Sequence, residues 1–281
     1  IPQIFWVQDL WPDTLVALNI LNKNWQINLF RILVNWIYSR CDLILAQSKY
    51  ILKEIKKYSS VQDNIHYFPT WGESDLFLNI ASPAPEIEPK DIFTIMFAGN
   101  IGEAQDFPNI IKAVQNIILN NVKNFRLIII GDGSKKEWAM NEVKKLNIEQ
   151  YFEFYNSYPL ERMPSFFKHA DALLVSLLNK KVFNMTIPGK IQFYLSSGIP
   201  IVGMICGAGA EVIQKSKGGF VCDSGNYLNL SKIIREIISL EKKDLQKIGE
   251  KGKEYANKEF SKINLIKKLN KIFIKISKKI K

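Results

Sequence analysis

The sequence predicts an α/β protein whose parallel sheets carry helices on both sides, in two parts of unequal completeness. Three observations point there. From Ile92 onward, short apolar runs alternate with amphipathic stretches, the pattern of strand–helix–strand crossovers. A polar segment with Pro83, Pro85 and Pro89 breaks that pattern and marks a boundary. Ahead of it, residues 1–75 are too few for a domain of about 150 residues, so only part of a first α/β domain is expected. The predicted organisation is a partial first domain over 1–75, a linker over 76–91, a complete second domain over 92–257 and a basic amphipathic helix over 258–281.

In chain order, Ile4-Phe5-Trp6-Val7 reads as a short strand running into Gln8-Asp9-Leu10-Trp11-Pro12. Ile27, Phe30, Leu33, Val34 and Ile37 recur at helical spacing within 25–40. Residues 41–46 form a second strand, Ser48 is placed to cap the helix after it, and 65–69 are extended. In the second domain, strands are expected over 92–98, 125–130, 152–155, 172–177, 199–204 and 219–222. The helix after the first of these shows a face of Phe107, Ile110, Ile111, Val114, Ile117 and Ile118. Further helices are expected over 135–146, 160–168, 189–197, 209–215 and 227–239.

Hydrophobic residues at 47% and charged residues at 23% suit a globular protein. The net charge of +11 would suggest a nucleic-acid binder, but its location argues otherwise. Residues 258–281 hold nine lysines and one acid, Glu259, whereas 1–257 hold 29 basic and 26 acidic residues. No nucleic-acid partner is expected. No apolar run approaches the roughly 18–20 residues that cross a bilayer. The chain starts Ile1-Pro2-Gln3, with no methionine and no visible signal peptide, so a fragment is expected. Cys41, Cys206 and Cys222 lie far apart without metal-type spacing, which suits buried thiols in a reducing cytosol. His66 and His169 read as structural, and no metal site is expected.

In sheets of this kind ligands bind beyond the carboxyl ends of the strands. Gly99-Asn100-Ile101-Gly102, Gly131-Asp132-Gly133 and the loop reaching Lys190 all fall there. Pro188 and Gly189 open a helix with Lys190 in its first turn, so free N–H groups and a cation form a cradle for phosphate. A lysine at that end opposes the helix dipole unless an anion is present. Gly99-x-x-Gly102 and Gly131-x-Gly133 fit either a tight turn or a ligand's close approach to the backbone. Neither is the G-x-G-x-x-G dinucleotide fingerprint. Glu211 either accepts hydrogen bonds from sugar hydroxyls or caps the helix over 209–215. Trp11 and Trp71 read first as packing residues, Trp11 being the better candidate for a sugar platform.

Three motifs, in order along the chain, carry a family resemblance. Thr186-Ile187-Pro188-Gly189-Lys190-Ile191, continuing through Tyr194-Leu195-Ser196-Ser197-Gly198-Ile199-Pro200, resembles the T-x-P-S-K-L…Y-L-A-A-G-x-P signature of bacterial family 4 glycosyltransferases. Phe97-Ala98-Gly99-Asn100-Ile101-Gly102-Glu103-Ala104-Gln105 resembles the F-A-G-N-I-G-x-A-Q motif of the amino-sugar transferases that build O-antigen, capsule and exopolysaccharide. Val7-Gln8-Asp9-Leu10-Trp11-Pro12-Asp13 is similar to their V-Q-D-L-W-P-[ED]. The resemblance covers about residues 1–240.

It implies a GT-B fold of two facing Rossmann-like domains and retaining transfer from a nucleoside-diphosphate sugar, UDP-linked, to a lipid-linked saccharide, with no metal or other cofactor. It places Lys190 at the leaving diphosphate, with Asp9 the titratable group on the acceptor side. Gly99, Asn100, Ile101, Gly102, Gly131, Gly133, Pro188, Gly189 and Glu211 would join Lys190 around the donor. The chain also departs from the pattern. Met185 and Phe193 stand where many family 4 enzymes carry two glutamates, the Arg/Lys pair after the first glycine loop is missing, Gly189 replaces a serine, and Gln8 replaces a histidine. These departures keep open a catalytically inactive nucleotide-sugar-binding or membrane-docking subunit. In the tail, Leu265, Ile266, Leu269, Ile272, Phe273, Ile276 and Ile280 share one face opposite a row of lysines. That suits either packing on the first domain or docking of residues 260–281 on an anionic membrane. The expected location is cytoplasmic, peripherally on the inner face of the membrane.

Overall fold

The computed structural model describes residues 1–57, 64–78 and 82–278. Residues 79–81 of the expected linker and Ile280 of the tail's apolar face lie outside the described residues. Two parallel sheets organise the chain. The first is three-stranded, in the order β1 (Ile4–Val7), β2 (Leu43–Ala46), β3 (Ile65–Tyr67). The second contains β4 (Phe93–Ala98), β5 (Phe125–Ile130), β6 (Phe152–Tyr155), β7 (Ala172–Ser176), β8 (Ile201–Met204) and β9 (Gly219–Cys222). Its order is β6-β5-β4-β7-β8-β9, so the direction of winding reverses between β4 and β7. A crevice opens at such a reversal, beyond the carboxyl ends of the strands.

The strands of the second sheet are apolar almost throughout because helices cover both faces. Every residue of β5 is buried, and its side chains alternate between two cores. Leu127 and Ile129 face one core with Ile95 and Phe97 of β4, while Ile128 and Ile130 face the other with Met96. The first core is closed by the helix Phe107–Leu119, which buries Phe107, Ile110, Ile111, Val114 and Ile117 as its period predicts. The helix Gly189–Ser197 closes the second, burying Ile191, Phe193, Tyr194 and Leu195. Each large apolar side chain fully buried in this way contributes about 1.5–3 kcal/mol. Arg126 within β5 is tolerated because its guanidinium donates to Thr94 Oγ1 at 3.0 Å, to the Glu88 carbonyl at 3.0 Å and to Glu153 at 3.1 Å.

The proline-rich segment is a strap and not a free connector. Ala84 and Ile87 are buried, the Ala84 N–H donates to the Ser165 carbonyl at 3.0 Å, and Glu86 takes both 2.9 Å bonds from Arg162. Proline fixes the backbone of such a strap at little cost in entropy.

The C-terminal stretch divides into two helices, Lys242–Glu259 and Lys262–Lys278. Between them the chain crosses back to the first sheet, where the Gly72 N–H donates to the Phe260 carbonyl at 2.9 Å. The apolar stripe of the last helix is thereby split. Leu265 is buried with Leu43, Leu45 and Phe68, and Leu269, Ile272 and Ile276 pack beside it, whereas Ile266 and Phe273 stay exposed. The reason lies in the sheet. Successive residues of β2 point to opposite faces, and the helix Asn24–Arg40 covers only the face of Ile44 and Ala46.

Candidate active site

A cavity of about 610 Å³ lies between the two sheets. Gly99, Gly131, Gly189 and Lys190 line it from the second sheet, and Trp6, Gln8, Thr70, Trp71 and Glu73 from the first. Gly99 directly follows β4, at the reversal of strand order, with φ +132°. Gly131 follows β5 with φ +152°, and a Cβ there would fall 1.9 Å from the Gly99 carbonyl oxygen. The two strand ends therefore touch backbone to backbone, a contact that a side chain at Gly131 would prevent.

Helix Gly189–Ser197 brings Lys190 to these strand ends. It opens at Pro188, which provides no side-chain cap, so its first N–H groups stand beside the cavity. The Tyr194 hydroxyl fixes its position, donating to the Ala98 carbonyl at 3.0 Å and accepting from the Ala98 N–H at 2.9 Å. From the other side, Gln47 is 2% exposed, donates to the Gln8 carbonyl at 2.9 Å and accepts the Ile187 N–H at 3.1 Å. The first sheet is thus pinned to the loop that delivers Lys190.

Lys190 is half-buried, but its Nζ is shielded from solvent and has no hydrogen-bond partner among the described residues. It sits 3.8 Å from the centre of the Phe97 ring, a cation–π contact. A Cβ on Gly99 would lie 3.1 Å from it, so glycine leaves room for the amine. Burial pushes its pKa down to about 7, because the ammonium loses its water there and no anion among the described residues replaces it.

Other predicted site residues lie elsewhere. The Ile101 side chain is buried in the core, its N–H donates to the Asp132 carbonyl, and its own carbonyl accepts from Lys135. The Gly102 N–H is taken by Gln105 Oε1 at 3.0 Å. Gly133 abuts the Ile101 carbonyl, so this half of the glycine loops stitches β4 to β5. Asn100, Ile101, Gly102, Gly133 and Pro188 are not among the residues lining the cavity. Asp9 lies in a neighbouring groove with Trp11, and desolvation raises its carboxyl pKa. Glu211 stands in the second turn of the helix Gly207–Ser216, paired with the Tyr50 hydroxyl and with Lys215 at 2.7 Å. It neither caps that helix nor lines the cavity.

Sequence reasoning missed Trp6, Thr70 and Glu73. Trp6 and Gln8 alternate along β1 and its end, so they point to the same side. Glu73 accepts from the Trp71 indole N–H at 2.9 Å and from Lys262 at 2.7 Å. Among the described residues, no three His, Cys, Asp or Glu side chains are grouped to hold a metal ion.

Residues 81–255, more than half the chain, match the family described as Glycosyl transferases group 1. The chain belongs to the group 1 glycosyltransferases. No curated protein matched this glycosyltransferase in sequence. Among solved structures, it is similar to Anabaena HepE in complex with UDP and glucose, with 14% identity over 97% of this chain and 71% of that one and a TM-score of 0.76. Sucrose-phosphate synthase from Thermosynechococcus elongatus is similar at 12% identity over 97% and 67%, with a TM-score of 0.72. The lipopolysaccharide outer core galactosyltransferase WaaB follows at 20% identity over 84% and 63%, with a TM-score of 0.59. These likenesses show the GT-B fold for this glycosyltransferase.

Proposed function

We propose that this family 4-like glycosyltransferase moves a hexosyl or N-acetylaminosugar residue from a nucleoside diphosphate, UDP by preference, to a lipid-linked saccharide in cell-surface polysaccharide synthesis, with retention at the anomeric carbon. The observation that supports it most is the Lys190 amine, buried without a partner where two strand ends and a helix N-terminus converge. A diphosphate seated there would give the amine the anion it lacks and restore its charge. HepE, whose structure holds UDP and glucose, supports the nucleotide, and WaaB, a lipopolysaccharide outer core galactosyltransferase, supports the acceptor class.

In this reading the bond from C1 to the diphosphate oxygen breaks and the acceptor hydroxyl oxygen bonds C1 on the same face. The hydroxyl proton goes to the departing phosphate. Charge grows on the leaving group toward the transition state, where Lys190 and the first N–H groups of helix 189–197 stabilise it. That removes the need for a metal or other cofactor, and chelator should leave the rate unchanged. Gly99, Gly131 and Gly189 let the donor approach the backbone. Asn100, Ile101, Gly102, Gly133 and Pro188 shape that surface from behind. Asp9 belongs to the acceptor side, and Glu211 would reach the donor only after parting from Tyr50. Among the described residues no helix is long and apolar enough to cross a membrane. We place the protein on the cytoplasmic face, with the lysines of helix 262–278 adding a general electrostatic attraction to anionic lipid.

The test is titration calorimetry with UDP and UDP-sugars, followed by transfer to a short-chain lipid-linked saccharide, for wild type and Lys190→Ala. Wild type should bind and transfer, and the variant should lose turnover. Donor binding with no transfer to any saccharide would favour the non-catalytic binding subunit.

A further inference from the structure

The helix Asn24–Arg40 is apolar on two opposite sides. Val34 and Tyr38 are buried against the first sheet. Opposite them, Trp25, Leu29, Ile32 and Trp36 line up at i, i+4, i+7 and i+11, exposed by 64, 57, 68 and 52%. A helix with a second apolar side calls for a second apolar cover, and a contiguous exposed patch of this kind marks a contact surface.

Its surroundings say what that cover is. Residues 24–40 contain no acid, and Lys23 and Arg40 stand exposed at the two ends of the stripe. The Arg40 guanidinium lies 4.0 Å over the Trp36 ring, which holds a cation level with the indole. Tryptophan with flanking cations is the chemistry that settles at the headgroup level of an anionic bilayer. Position adds a second reason. Between this helix and β1 runs a groove of about 260 Å³ lined by Phe5, Trp11, Val34 and Tyr38. Trp6 and Gln8 line both this groove and the central cavity.

We infer that helix 24–40 docks the protein on an anionic lipid surface, with Trp25, Leu29, Ile32 and Trp36 entering the headgroup layer and Lys23 and Arg40 meeting lipid phosphates. The groove then opens on the membrane side and leads toward the cavity. This rests on the proposed lipid-linked acceptor, and it is distinct from the lysine row of helix 262–278, which covers the opposite face of the same sheet.

Flotation with vesicles of phosphatidylcholine containing about a third phosphatidylglycerol tests it, using three variants of the full chain. Trp25→Ser/Ile32→Ser/Trp36→Ser and Lys23→Glu/Arg40→Glu should each lower vesicle binding about tenfold or more. Lys267→Glu/Lys271→Glu/Lys275→Glu should lower it less. The serine variant should keep its thermal midpoint and its affinity for UDP, since none of the three side chains is buried. Wild type that ignores these vesicles, or a serine variant that binds them like wild type, overturns the docking proposal. So does a wild-type dimer in light scattering that the serine variant turns into a monomer, because a second copy then covers the stripe. UDP affinity is read in the same preparations. Its absence would count against the proposed donor whatever the vesicles show, and its presence leaves the docking result to stand by itself.

Discussion

The cavity wall contributed by the second sheet carries three glycines beside side chains such as Tyr158, Met163 and Phe193, whereas the wall contributed by the first carries none and is lined by Trp6, Gln8, Thr70, Trp71 and Glu73. On one side stand Gly99, Gly131 and Gly189, with Lys190 the cation among them; on the other stand Trp6 and Trp71, their ring centres 5.5 Å apart, with Gln8 bonded to Thr70. Under the proposed function, the glycine stretch would meet what a diphosphate always presents and would leave little room for substitution. A side-chain wall can change its shape one residue at a time. On that reading the glycines serve a constant ligand and the side chains a variable one.

The largest effect should come from Gly131→Ala. The new methyl would meet the Gly99 carbonyl at 1.9 Å in a backbone region closed to most residues. A loss of about 3 kcal/mol or more is expected, read as a lowered denaturation midpoint. An unchanged midpoint would mean that the two strand ends part easily, and the wall would be softer than it looks.

Lys190→Ala should lower turnover about 10- to 100-fold, the worth of one charge-assisted bond, with a smaller change in donor affinity. Its effect on stability has the opposite sign. The unfolded chain keeps this proton up to the ordinary 10.5, while the folded site releases it at about 7. In that window the unfolded state binds more protons, so this group makes stability rise with pH from about 7 to 10.5, and its cost is fully present below 7. Lys190→Met should therefore be more stable than wild type at pH 6, and the gap should close toward pH 10. Urea titrations of both proteins across that range check this, and a constant gap would contradict it.

On the aromatic wall, Trp71→Ala should raise the acceptor KM about 3- to 10-fold and leave UDP affinity alone. A matching loss of UDP affinity would show that the walls do not divide the ligands. The smallest effect belongs to Gly189→Ser. A Cβ there meets nothing within 4 Å, so stability should move by less than about 0.5 kcal/mol. The added hydroxyl should tighten UDP binding by about fivefold at most, measured by calorimetry.

Much of this was legible in the residues. Helix 189–197 matches its predicted limits because a Pro-Gly start and a Gly198 stop are both local signals. Ser48 caps as expected, accepting the Ile51 N–H at 2.9 Å. Lys190 was singled out because a cation at a helix start is out of place without an anion. What stayed hidden is what depends on distant partners. Glu73 meets Lys262 across 189 residues, and Tyr50 meets Glu211 across 161, with no spacing to announce either pair. Trp6 and Trp71 gave no local sign of lining a cavity, because an aromatic near a strand looks the same whether it fills a core or faces a void. The strap over 82–91 carried a composition common to free connectors, and its bonds to Ser165, Arg162 and Arg126 distinguish it.

The return of the last helix to the first sheet sets an order on the protein's birth. Leu43, Leu45 and Phe68 leave the ribosome well before Leu265, which covers them. At about 5–20 residues per second, the nearly 200 residues between Phe68 and Leu265 take roughly 10–40 s to make. For that interval this face of the newborn sheet lacks the cover that Leu265 later provides. Completion waits for the intervening strands to fold and bring the last helix back, so a sheet made earlier is finished later.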